Sequence, residues 1–347
     1  MSIESPCQKA CVVALCVAFP LASAPAQTIP PSYGHDFVTI GAPGNRGVTP
    51  FEAPDWDFDR FGTFGDVGYR YRITRTEVTN AQYFQFINLY FNTPGTLRDG
   101  GGLGTGIGVD GFDPQGDPIL FISQGAEHAP ADPTWQFAAR YMNWLHNDKG
   151  TRLEDFETGV YDTSTFGVDP NTGARTDQVS RSPGARYFLP SFDEWTKAAH
   201  YDPDRYGSGQ EGYWYYPGGS DDPLVSGLPG EPGAETGVGQ DPPEYFLSFP
   251  VASFPDTDAP WGMLDASGGV SEWTETVLEP FRPDRLRVVA GSDTIDPFGT
   301  LLSDRLDDIR ARLRSRHGFR VGSVVPAPGT SLVLCVGLSA ACIGRRR

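Results

Sequence analysis

Between Gln27 and Val325 the chain has no cysteine; all five (Cys7, Cys11, Cys16, Cys335 and Cys342) lie in two terminal segments. The long middle therefore has no disulfide, no thiol nucleophile and no thiolate metal ligand, so it rests on its core and on any hard cation it binds. Basic residues are also scarce: 27 Lys and Arg stand against 44 Asp and Glu, a formal net charge of −17. Such a surface repels phosphate backbones and anionic lipid, which argues against nucleic acid and peripheral membrane binding. It suits divalent cations or cationic partners, and it also keeps a protein soluble. Histidine is rare, and His35, His128, His146, His200 and His317 lack the close spacing of a zinc site. No nucleophile-elbow motif, internal repeat or dividing linker is present.

Glycine and proline, by contrast, are abundant at 42 and 31 residues. Proline removes backbone donors and glycine weakens regular elements, so the expectation is a loop-rich globular body. The 12% aromatic content argues against disorder throughout, because disordered chains are poor in aromatics.

Near the start, Lys9 precedes the apolar run Ala10 to Leu21, "ACVVALCVAFPL", and then "ASAPAQ". This charged, apolar, small-residue order is that of a secretory signal cleaved after Ala26. A lipid anchor at Cys16 fits less well, because Leu15 is a poor residue before a lipidated position. At the other end an apolar stretch, Thr330 to Gly344, is followed by Arg345, Arg346 and Arg347. The stretch is shorter than the ~20 residues of a free-standing membrane helix, and the arginines would hold that end in the cytoplasm. Proline motif, short apolar helix and basic tip resemble the PEP-CTERM sorting tail recognised by bacterial exosortases, with Pro326-Ala327-Pro328 in place of Pro-Glu-Pro. A plain C-terminal membrane anchor stays open. The expected organisation is a signal peptide at 1–26, a body at 27–325 and a sorting tail at 326–347. The protein would be exported to the cell surface, outer envelope or extracellular matrix, with sorting machinery as a partner and the tail as its only membrane contact.

Within the body, Phe37 to Ile40 reads as a strand, and Tyr69, Tyr71 and Ile73 alternate with Arg70, Arg72 and Thr74 as a half-buried strand should. Thr79 and Gln82 form a capping box for a helix from about Asn80 to Phe91. Trp135, Ala138, Ala139, Met142 and Leu145 mark one buried face of a second helix, Thr134 to Asn147. Ser191 and Glu194 cap a third helix, with Phe192, Trp195, Ala198 and Ala199 as its buried stripe and Asp202-Pro203 as its end. Residues 94–133 are glycine-rich and expected to be irregular. The glycines of "GGGLGTGIGVDG" (Gly100 to Gly111) have neither the strand before nor the helix after that a phosphate-binding turn needs. "DWDFDRFGTFGD" (Asp55 to Asp66) lacks the glycine of a calcium-binding EF-hand loop, with Arg60 in its place. Short strands are expected in "RVVAGS" and "HGFRVGS".

The stretch "WGMLDASGGVSEWTE" (Trp261 to Glu275) is different. Asp265 and Glu272 supply hard carboxylate oxygens, and Ser267, Gly268 and Gly269 let the backbone curl so that carbonyls point inward, as calcium requires. Trp261 and Trp273 would bury the turn. The residues alone leave a metal-held turn and a solvated acidic turn both open.

"FVTIGAPGN", "YRITRTEVTNAQYFQFIN", "AARYMNWLHN", "ARYFLPSFDEWTKAAHYDP", "GMLDASGGVSEWTE", "RVVAGS" and "HGFRVG" occur in the order seen in sulfatase-modifying-factor domains. The resemblance, from about His35 to Ser323, implies the α+β fold of formylglycine-generating-enzyme-like proteins, a single loop-rich domain of complex C-type-lectin-like type. It implies a structural calcium held by the side chains of Asp265 and Glu272 and the carbonyls of Gly268 and Val270. A second calcium of the family cannot be placed, because residues 217–260 diverge. The family's oxidase holds copper with two cysteines, and none stands in the corresponding region after "RVVAGS"; Ala290 and Ser271 also depart from the family pattern. Soft Cu(I) needs thiolates, so neither copper nor formylglycine generation is expected. The histidine-bearing added domain of the family's iron-dependent sulfoxide synthases is missing too. The expected function is a calcium-stabilised binding module for a glycan or protein ligand, with loops 92–133 and 203–260 as its variable surface. An enzyme with a non-thiol site around Ser292, Arg312 and Arg314, and a structural matrix or cell-surface component, are the alternatives.

Overall fold

The computed structural model describes residues 28–54, 56–98, 100–171, 175–242, 248–277, 287–294 and 317–326. The chain divides into two units, Met1–Thr28 with Pro326–Arg347, and Ile29–Val325. The expected signal peptide, all of the sorting tail after Pro326, and Arg312 and Arg314 lie outside the described residues. Among the described residues no helix is long and apolar enough to cross a membrane.

In chain order the main elements are strands β1 (Phe37–Ile40) and β2 (Tyr71–Thr74), helix α1 (Asn80–Phe91), strands β3 (Ile107–Phe112) and β4 (Pro118–Ile122), and helices α2 (Trp135–His146) and α3 (Leu153–Glu157). They are followed by β5 (Tyr187–Phe188), α4 (Phe192–His200), β6 (Ser267–Gly269), β7 (Glu272–Val277) and β8 (Arg287–Ala290). Strands β9 (Ser292–Asp293), β10 (Gly318–Phe319) and β11 (Gly322–Val324) complete the body.

Both expected capping boxes form. Thr79 Oγ1 accepts from the Gln82 amide at 3.2 Å while the Gln82 side chain accepts from the Thr79 amide at 3.0 Å. Ser191 and Glu194 exchange the same pair of bonds at 3.1 and 2.7 Å to start α4. Each box satisfies two amides that the helix itself leaves unpaired. Helix α2 begins at its expected position but has no side-chain cap. It is held by burial: beyond the predicted stripe, Phe137, Tyr141 and Trp144 are also buried. A one-faced helix was the expectation, and α2 is instead a central helix enclosed on nearly every side. The reason is aromatic packing against α1, with Tyr141 5.5 Å from Phe86 and 5.8 Å from Tyr83, and against Phe319 of β10 at 5.5 Å. Such ring pairs each add roughly 0.5–1.5 kcal/mol beyond area burial.

The sheets bring distant segments together. One antiparallel sheet has the order β1-β2-β11-β5, so strands from both ends of the body share it. A second has the order β8-β7-β10, with β7 and β10 parallel. A short parallel pair, β6-β9, sets Ser267 opposite Ser292.

Two expectations shift. Tyr69 lies before β2 and is about half exposed, its hydroxyl donating to Glu194 at 2.6 Å. Residues 94–133 contain the β3-β4 hairpin where irregular chain was expected. Its signal, "GIGVDGF" and "PILFI" around a Pro-Gln-Gly turn, is diluted by glycine, which carries no side chain to show the alternation.

Candidate functional site

Strand β2 and the turn after it deliver Glu77, the turn before β6 delivers Asp265, β7 delivers Glu272, and the residue after β10 delivers Arg320. All four side chains are largely or fully withdrawn from water, and Arg320, Glu77 and Glu272 are buried outright. Arg320 is the hub. Its Nε donates to both Glu272 carboxylate oxygens at 2.8 Å, its Nη1 to the Arg75 carbonyl at 2.7 Å, and its Nη2 to the Leu264 carbonyl at 2.7 Å. Trp195 of α4 adds an indole N–H to Glu272 at 2.9 Å. The Glu272 carboxylate, expected as a calcium ligand, is thus engaged by a guanidinium and an indole.

Glu77 takes the place beside Asp265. Its Oε1 accepts from the Val270 amide at 3.3 Å, and its buried Oε2 has no hydrogen bond among the described residues and lies 3.7 Å from Arg320 Nη2. Asp265 has φ of +59°, and its Oδ2 accepts from the Ala252 amide at 2.6 Å. Both carboxyl groups face one small cleft with Gly268 and Gly269. The two glycines are required there. A Cβ on Gly269 would collide with Glu77 Oε1, and Gly268 has φ of +78° with Thr236 Oγ1 and the Gly237 amide where its Cβ would be.

Charge in this cluster is unbalanced. Burial, and then Asp265, pushes the Glu77 carboxyl well above the usual range, and Arg320 offsets this only in part. Burial raises Asp265 as well. Burial works against the Arg320 charge, and Glu272, Glu77 and Asp265 together outweigh it. Three carboxyl groups thus share one guanidinium; Glu77 Oε1 leaves no room for a methyl group on Gly269, and Glu77 Oε2 is buried without a hydrogen bond among the described residues. These features fit a hard cation held by Asp265, Glu77 and backbone carbonyls. Among the described residues no three His, Cys, Asp or Glu side chains converge as a ready-made metal site, so carbonyls would supply most of the shell.

The flanks of the turn behave as packing. Trp273 is buried and donates to the Pro133 carbonyl at 3.1 Å, and half-buried Trp261 stacks on Tyr201 at 6.4 Å. Ser292 is buried within a chain of hydroxyls: it accepts from the Gly268 amide at 3.2 Å and donates to Ser267 at 3.2 Å, and Ser267 contacts Thr236 at 3.1 Å. Ser271 contacts His317 Nδ1 at 2.8 Å, and the His317 ring stands edge-on to Trp273 at 4.7 Å.

Sequence reasoning placed Asp265 and the two glycines here but assigned no role to Glu77 or Arg320. Both stand in quoted motifs, "TRTEVTN" and "HGFRVG", yet 193 positions separate Glu77 from Val270 and 48 separate Arg320 from Glu272. No local periodicity reports such a contact.

The model of the sulfatase-modifying factor enzyme 1-like domain matches residues 66–323. Among solved structures, that of CarF is similar over 85% of this chain and 100% of its own at 20% identity, with a TM-score of 0.48. Treponema denticola variable protein 1 aligns over 83% of this chain and 94% of its own at 14% identity and a TM-score of 0.44. PvdO from Pseudomonas aeruginosa aligns over the same shares at 16% identity and a TM-score of 0.41. No curated protein matches the chain. By the span of the domain match, the chain belongs to the sulfatase-modifying-factor family, with a mixed α/β, loop-rich domain of the formylglycine-generating-enzyme type.

Proposed function

We propose that this protein is an exported, surface-sorted binding module built on the sulfatase-modifying-factor scaffold, stabilised by calcium and without thiol oxidase chemistry. The observation that carries the reading is a family domain over residues 66–323 with no cysteine anywhere from Gln27 to Val325. Copper of the kind that needs thiolates has no ligand there. Calcium would sit between Asp265 and Glu77, with the carbonyls of Gly268 and Val270 completing the shell; Glu272 serves Arg320. Export, the sorting tail and its processing by an exosortase-type enzyme are read from the two termini.

A non-thiol enzyme is the second reading. Ser292 supports it poorly, since its hydroxyl is committed to Gly268 and Ser267. The Ser271–His317 contact is the observation in its favour, and the burial of Ser271 stands against it. The test is incubation of the purified protein with copper, oxygen and a peptide bearing a sulfatase cysteine motif. The expected result is no aldehyde; an aldehyde product would overturn the proposal.

A further inference from the structure

An open groove of about 340 Å³ lies between the loop that follows α1, helix α3 and the segment after α3. None of its lining residues belongs to the Asp265 cluster. Its volume falls within the roughly 300–1,000 Å³ typical of small-molecule sites.

Arg140 of α2 lines the groove although it is only 5% exposed. Tyr90, Phe137 and Phe166 surround its guanidinium, with Cζ 5.9, 5.5 and 5.1 Å from their ring centres. Its Nε faces Glu157 at 3.2 and 3.3 Å, and Nη1 reaches the Gln136 carbonyl at 3.4 Å. Nη2 donates to no acceptor among the described residues. Glu157 is fixed in turn, accepting from the Tyr90 hydroxyl at 3.0 Å and from Thr163 Oγ1. The ion pair is therefore rigid and close to neutral, with one guanidinium edge left open.

Around it stand the exposed carboxylate of Asp162, the exposed hydroxyl of Ser164, and the side chains of Leu97 and Leu153, 48% and 37% exposed. An anionic ligand would meet Glu157 and Asp162 on the same wall. A purely apolar ligand would bury the Arg140 edge without a partner, which costs more than the contact gains. The Asp162 carboxylate already accepts from the Ser164 amide at 3.0 Å and from the Ser164 side chain, so a ligand with adjacent hydroxyls would accept from the open Arg140 edge, donate to the remaining lone pairs of Asp162, and lay a C–H face on the leucines.

We propose that this groove is a saccharide-binding site, taking one residue of a neutral oligosaccharide between Arg140 and Asp162. The inference rests on the binding-module reading and names a surface and a ligand class for it. The test is calorimetry of the purified full chain against maltotriose, mannotriose, lactose and diacetylchitobiose, with a galacturonic trisaccharide as the acidic control. At least one neutral sugar is expected to bind saturably and to protect 93–98 and 153–164 from hydrogen exchange. Leu97→Ala should weaken that binding about fivefold, as loss of an apolar contact of roughly 1 kcal/mol implies. Ser164→Trp, at an exposed position, should abolish it without lowering the melting temperature. Absence of binding by every neutral sugar, binding that survives Ser164→Trp, or binding of the acidic control alone would overturn the groove assignment. Any of these results, obtained with no aldehyde formed in the oxidase assay, would reject the groove and leave the binding module standing; an aldehyde would reject the module itself.

Discussion

Arg320, the residue after β10, meets Glu272 of the parallel neighbour β7 with Nε 2.8 Å from both carboxylate oxygens, and neither side chain is more than 1% exposed. A buried pair of this kind is costly to halve and much cheaper to replace whole. Arg320→Met alone should lower stability by about 3–5 kcal/mol in urea unfolding, because Glu272 is left charged and unpaired. The double variant Arg320→Met/Glu272→Leu should lose clearly less than the sum of the singles. Additive losses would mean that the two groups do not act as a unit.

Gly269→Ala tests the close approach of Glu77. The added Cβ has no room beside Glu77 Oε1, so the turn or the carboxylate must shift. A loss of about 1–3 kcal/mol is expected, together with loss of any response to calcium. Gly68→Ala is the control, since a Cβ there meets nothing within 4 Å; an equal loss at both positions would contradict that close approach.

Two buried histidines should each contribute a loss of stability in acid. Burial lowers His35 to about 4 and His200 to about 3, and both are held neutral, His35 against the Tyr141 hydroxyl at 2.8 Å. The unfolded chain binds these protons from about pH 6.5 downward while the folded protein does not. Stability from these groups is therefore complete above about pH 6.5 and is lost as pH falls toward 4 and 3. By pH 5 each should have cost on the order of 2 kcal/mol. Unfolding midpoints at pH 7 and pH 5 check this, and His35→Gln should flatten part of the slope.

Much of the fold was legible because its signals are local. Thr79, Gln82, Ser191 and Glu194 lie within one helical turn of their partners, and each box formed as the spacing implied. The all-round burial of α2 was not legible, since Tyr141 and Trp144 meet α1, and Tyr141 meets β10, only after the chain has closed. The site divides in the same way. Asp265, Gly268 and Gly269 stand in one turn and were found together. Glu77 and Arg320 reach it from opposite ends of the body, and only the fold shows the Arg320 guanidinium on Glu272.

We propose that calcium holds the Asp265 turn in the scaffold. Thermal melting of the wild type and of Glu77→Gln, each with calcium and with chelator, tests it most directly. Extracellular calcium sites bind at roughly 10⁻⁴–10⁻³ M, and at ten times the dissociation constant such a site adds about 1.4 kcal/mol. Calcium should raise the wild-type melting temperature and leave that of Glu77→Gln unchanged. A wild type that melts identically with calcium and with chelator, or an undiminished calcium shift in Glu77→Gln, would contradict the account.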